Sequence, residues 1–107
     1  MSVKEVNPAS NCYRAILAQV NYLDSVYTKN VHLKEIYQDL TELAFYMMEN
    51  DGQRVLKGIE QVRLTLNEIE GCSWKETEGN LTATRLILTE IKTHLQYLLI
   101  EFGREDH

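Results

Sequence analysis

The sequence predicts an all-α fold, a single-domain antiparallel four-helix bundle in up-down-up-down order with a left-handed twist. The 107-residue chain has the length of one domain, and it contains one proline and five glycines, whereas a sandwich or barrel needs more turn residues. Apolar residues recur every three or four positions in four separate segments. These segments have similar lengths and short links, which favours antiparallel packing of successive helices.

The first helix is predicted over residues 8–28. Pro8 follows Asn7, and this pair suits the first helical position and the N-cap that precedes it. One face of the helix then carries a stripe of apolar residues with helical spacing. The stripe consists of Tyr13, Ile16, Leu17, Val20, Leu23 and Tyr27.

The second helix is predicted over residues 31–49. It ends before Asn50-Asp51-Gly52, which is a turn signal, and Asn50 with Gln53 fits a capping box for the third helix. Its apolar stripe consists of Leu33, Ile36, Tyr37, Leu40, Leu43, Ala44 and Met47.

The third and fourth helices are predicted over 52–70 and 81–102, with a polar loop over 71–80 between them. Gly71 and Gly103 are expected to end the two helices. The residues of each stripe are spaced by four and three positions in turn. This heptad pattern predicts that the helix axes cross at about 20°. The stripes are Val55, Ile59, Val62, Leu66 and Ile69 in the third helix, and Thr84, Leu88, Ile91, Leu95, Leu98 and Phe102 in the fourth.

Charge and hydropathy exclude two classes of partner. Eleven basic and 16 acidic residues give a net charge of −5, which argues against binding to a nucleic-acid backbone. No apolar run approaches the roughly 18 residues that a membrane span requires. The first residues lack the apolar core of a secretory signal, so we expect a cytoplasmic protein.

The sequence offers no catalytic, cofactor or metal motif. His94 follows Glu90 by four residues and His32 precedes Glu35, so neither pair matches the Glu-x-x-His spacing of ferritin-like di-iron bundles. A glycine-rich phosphate loop and the paired acidic motifs of all-α nucleotide pyrophosphohydrolases are also missing. We therefore expect no enzyme activity, no cofactor and no bound metal.

One short segment resembles a known family. Arg54-Val55-Leu56-Lys57-Gly58 is similar to the His-x-Leu-Lys-Gly element of histidine phosphotransfer domains, which are also helical bundles. The resemblance covers five residues, and Arg54 stands where the family has its phospho-accepting histidine. It therefore implies a non-catalytic docking bundle and no phosphotransfer chemistry.

The most informative feature is a surplus of apolar residues beyond the four stripes. The surplus residues are Phe45 and Met48 in the second helix and Leu86, Tyr97 and Ile100 in the fourth. Exposed apolar groups of this kind mark interfaces, whereas a bundle with wide contacts between helices would bury them. Trp74 stands in the polar loop, where it either pins the loop over the bundle or projects as a binding anchor.

We predict that the protein acts by binding another protein, as a regulator, adaptor or inhibitor, and that it forms a homodimer. The flank of the second helix with Phe45 and Met48 is the expected dimer contact, joined by the surplus residues of the fourth helix. An immunity or inhibitor module of the kind that small accessory genes encode is the alternative function. Two long hairpins from two chains, forming one intermolecular bundle, are the alternative architecture.

Overall fold

The computed structural model describes residues 8–28, 30–71 and 81–105. They form four α-helices in the order α1 (Pro8–Val26), α2 (Val31–Met48), α3 (Gly52–Glu70) and α4 (Leu81–Glu105). Each helix packs against its neighbour in sequence, and α1 also packs against α4. The predicted all-α four-helix bundle is therefore confirmed, with all four helices supplied by one chain.

The core is built from the four predicted stripes. All stripe residues of α3 and α4 are buried, and Tyr13, Leu17, Tyr37 and Met47 of the first two stripes pack partly buried against them. The fully buried side chains include Ile16, Leu23, Leu33, Ile36, Leu40, Leu43, Leu66, Ile69, Ile91 and Leu98. Helical periodicity predicts burial well here because each helix has one face toward a single shared core.

The predicted N-cap of α3 and the predicted end of α4 differ from the structure. The N-cap of α3 is Asp51, whose side chain accepts a hydrogen bond from the Arg54 amide at 3.2 Å. Asn50 instead turns the chain in the left-handed region, at φ 56°, a conformation that asparagine tolerates better than most residues. Helix α4 continues through Gly103 to Glu105, because a glycine permits a helix end without imposing one.

A glycine allows α2 and α3 to approach each other closely. A β-carbon on the buried Gly58 would lie 3.2 Å from Cδ1 of Leu43 and 3.4 Å from Cδ2 of Tyr46. Within the described ranges the diagonal pair α2 and α4 makes no close backbone contact. None of the described helices combines the length and the apolar character that crossing a bilayer requires.

Candidate functional site

All five surplus residues that the structure describes are exposed. Their exposed fractions run from 44% for Ile100 to 81% for Met48, so the alternative in which wide helix contacts bury them is wrong. The predicted contact residues on the described helices are Phe45, Met48, Leu86, Tyr97 and Ile100. Trp74 lies outside the described residues.

The structure divides these residues into two separate surfaces. Phe45 and Met48 belong to α2 and the other three to α4, and these two helices occupy diagonal corners of the bundle. Met48 lines a shallow depression between the start of α1 and the end of α2, together with Ser10, Tyr13, Ala44 and Met47. The two groups therefore do not form the single joined contact that the sequence predicts.

The larger of the two surfaces is the α4 outer face, formed by Leu86, Thr93, Tyr97 and Ile100. These positions recur at helical spacing over four turns, a length of about 21 Å. The Thr93 hydroxyl donates to the carbonyl oxygen of Thr89 at 3.0 Å, so its polar group is satisfied within the helix. His94 packs edge-on against the Tyr97 ring, with the ring centres 6.5 Å apart.

A polar cleft lies between α2 and α3, on a different side of the bundle. The cleft is lined by Glu35, Gln38, Asp39, Gln61, Thr65 and Glu68. The Thr65 hydroxyl donates to Oδ2 of Asp39 at 2.5 Å. Burial raises the pKa of Asp39, and the carboxylates of Glu42, Glu35 and Glu68 raise it further, whereas the bond from Thr65 opposes the shift. The cleft therefore concentrates negative charge.

At one end of this cleft, His32 meets two carboxylates from different helices. Nδ1 of His32 lies 2.8 Å from Oε1 of Glu35 on α2 and 3.9 Å from Oε1 of Glu68 on α3. The three donor atoms all lie within 4.8 Å of one another. The spacing of His32 and Glu35 does not match a metal motif in the sequence, and nothing in that spacing points to Glu68. The position of the turn at Asn50 could have predicted the contact of His32 with Glu68, because the two residues are equally far from the turn along two antiparallel helices.

Replacing Asp39 by asparagine should stabilise the protein at pH 7. Because the pKa of Asp39 is raised in the folded state, its carboxyl favours folding at low pH, and that contribution is lost as the pH rises through the folded-state pKa. Asparagine removes this loss while keeping an oxygen that can accept from Thr65. Thermal melting at pH 7 and pH 3 measures the effect, which should shrink at pH 3. Glu42→Gln, which removes an exposed charge one turn away, should give a smaller gain, and an equal or larger gain would contradict the burial argument.

The surroundings of Cys12 disfavour formation of its thiolate. Burial, followed by the negative charge of Glu101, raises the pKa of the Cys12 thiol, which reduces the thiolate needed for nucleophilic attack.

Arg54 lies in the first turn of α3, with its guanidinium 5.9 Å from the centre of the Tyr46 ring. In the segment that resembles the phosphotransfer element, Gly58 therefore serves helix packing, and Arg54 lies beside an aromatic ring.

Comparison with known proteins adds no family to these observations. Neither a family model, nor a curated protein, nor a solved structure matches the chain. The functional interpretation therefore rests on the geometry and chemistry of the side chains described above.

Proposed function

We propose that this four-helix protein acts by binding protein, and that the α4 outer face joins it to a second copy of itself. The observation that supports the proposal is the exposure of Leu86, Tyr97 and Ile100 along four turns of one helix. The core is already filled by the buried stripes, so these side chains are not needed for packing within the monomer. Covering them removes apolar surface from water, which favours association.

The spacing of this face suits a two-fold contact with its own copy. Leu86 and Ile100 are each seven residues from Thr93. Antiparallel pairing of two α4 helices about Thr93 places Leu86 of one protomer opposite Ile100 of the partner subunit, and the reverse. An isologous dimer requires this kind of self-complementarity. Tyr97 adds a residue type that is enriched at interfaces.

Charge also favours α4 over α2 as the contact. The charged residues of α2 are Lys34, Glu35, Asp39 and Glu42, so pairing this helix with its copy brings acidic groups together. Up to Glu101, α4 carries two basic and two acidic residues. Phe45 and Met48 also occupy a single turn, whereas a stable interface buries about 800 Å² on each partner.

The double variant Leu86→Glu with Ile100→Glu should convert the dimer to a monomer. The glutamate introduced at position 86 would face the one introduced at position 100 of the partner subunit, so two carboxylates of like charge would be brought together and desolvated, which is unfavourable. Helicity should be unchanged because both side chains are exposed in the monomer. Light scattering coupled to gel filtration, at several protein concentrations, measures the mass, and circular dichroism checks the fold.

Phe45→Glu with Met48→Lys is the matched control, because it alters two exposed apolar residues on the other surface. This variant should stay dimeric. If it becomes monomeric while the α4 variant remains a dimer, the contact is the α2 flank that the sequence predicts. A wild-type protein that is monomeric at every concentration would rule out self-association, and the α4 outer face would then be tested against other proteins.

A further inference from the structure

We propose that His32 and Glu35 of α2 and Glu68 of α3 form a binding site for a divalent cation, with Zn²⁺ as the best match. An imidazole nitrogen and two carboxylate oxygens are established zinc ligands. Here they come from two helices and have already converged within 4.8 Å of one another. The inference is independent of the proposed dimer, because the cluster lies on a different pair of helices from the α4 outer face.

The distances fit a tetrahedral ion after small side-chain movements. Zinc bonds of about 2.0–2.1 Å place neighbouring ligand atoms about 3.3 Å apart in a tetrahedron. The two distances from Nδ1 of His32 are 2.8 Å and 3.9 Å, one on each side of this spacing. Glu35 and Glu68 are both exposed, so their carboxylates can adjust through rotamer changes without moving the helices.

The backbone beneath the histidine is well anchored. The side chain of Asn30, the N-cap of α2, accepts hydrogen bonds from the amides of His32 and Leu33 at 2.9 Å and 3.2 Å. His32 and Glu35 then share a face of α2, because they are three residues apart on a helix. One ligand pair is thereby fixed on the first turn of α2, and Glu68 completes the set from α3.

The charge of the cluster favours a divalent cation, and the type of its ligands favours zinc. Two carboxylates and a neutral imidazole carry a charge of −2, which a divalent ion neutralises. Crowding of negative charge is already evident nearby, since Glu35 and Glu68 both raise the pKa of Asp39. Magnesium and calcium prefer all-oxygen ligand sets, whereas an imidazole nitrogen favours zinc. Three protein ligands leave a fourth coordination position for water.

The sequence-based expectation of no metal rested on ligand spacing within single helices. Glu68 lies on the neighbouring helix, so no spacing motif could include it. The interhelical position also predicts a consequence for stability. A cation held by α2 and α3 together binds the folded state in preference to the unfolded chain and raises the melting temperature.

Zinc titration of the tag-free full chain tests the site. The protein is treated with EDTA, dialysed, and titrated with ZnCl₂ by isothermal calorimetry, and its melting temperature is measured with and without Zn²⁺. The wild type should bind one ion per chain and melt at a higher temperature with zinc. His32→Ala and Glu68→Gln should each weaken binding at least about tenfold and lose most of the thermal shift.

Glu42→Gln is the control, because it removes one negative charge from α2 without touching the three ligands. It should bind zinc like the wild type. MgCl₂ at the same concentrations should bind far more weakly. Failure of the wild type to bind zinc would overturn the proposal. So would equal weakening by Glu42→Gln and Glu68→Gln, or binding unchanged in His32→Ala, because these results indicate a diffuse acidic surface or a different site.

Discussion

Replacing Ile59 by aspartate should unfold the protein. Ile59 is 4% exposed and belongs to the central apolar stripe of α3, within the core cluster. A carboxylate at this position loses most of its hydration, and the missing apolar side chain adds a packing loss, for a total of several kcal/mol. A domain of this size has a free energy of unfolding of about 5–15 kcal/mol. Thermal melting followed by circular dichroism should therefore show a broad or absent transition.

Leu64→Asp is the matched control for this prediction. It makes the same chemical change in the same helix, but Leu64 is 48% exposed and lies outside the core cluster. Its cost should stay below about 1 kcal/mol, mostly from the poorer helix propensity of aspartate. Equal destabilisation by the two variants, or a native melt for Ile59→Asp, would contradict the assignment of the α3 stripe to the core.

The sequence predicts the fold and the core well because helical periodicity reports which face of each helix is buried. The five stripe positions of α3 and the six of α4 are all buried as predicted. Helix ends are less well predicted, since several neighbouring residues can cap or end a helix and the residue type alone does not determine which one does. Asp51 caps α3 in place of Asn50, and Gly103 continues α4 in place of ending it.

Contacts between helices are harder to predict, because periodicity describes each helix alone. The meeting of His32 with Glu68 requires the register of α2 against α3. The separation of Phe45 from Ile100 requires knowing that α2 and α4 are diagonal. Hydrogen bonds of tyrosine hydroxyls between helices depend on this register as well. The Tyr13 hydroxyl donates to the carbonyl oxygen of Leu40 at 2.8 Å, and that of Tyr27 shares a buried hydrogen bond with Thr84.

Truncating Tyr27 should produce the second large loss of stability. Tyr27 follows the last residue of α1, is 2% exposed and is among the largest fully buried side chains. Its hydroxyl shares a buried hydrogen bond of 2.7 Å with Oγ1 of Thr84, near the start of α4. Tyr27→Ala removes the ring and leaves a cavity at this end of the bundle, at a cost of about 3–5 kcal/mol. Denaturant unfolding followed by circular dichroism measures the change.

A double-mutant cycle separates the hydroxyl bond from ring packing at this end of the bundle. Tyr27→Phe keeps the ring and removes the bond to Thr84, so it should cost about 1–2 kcal/mol. Thr84→Val removes the other partner, and the cycle with both changes should give a coupling energy of about 0.5–1.5 kcal/mol. Tyr22→Phe is the control, because Tyr22 is exposed on the adjoining helix α1, and it should leave stability unchanged. A coupling energy near zero would mean that ring packing alone joins α1 to α4 here, and the buried hydroxyl pair would then contribute nothing to the choice of helix register.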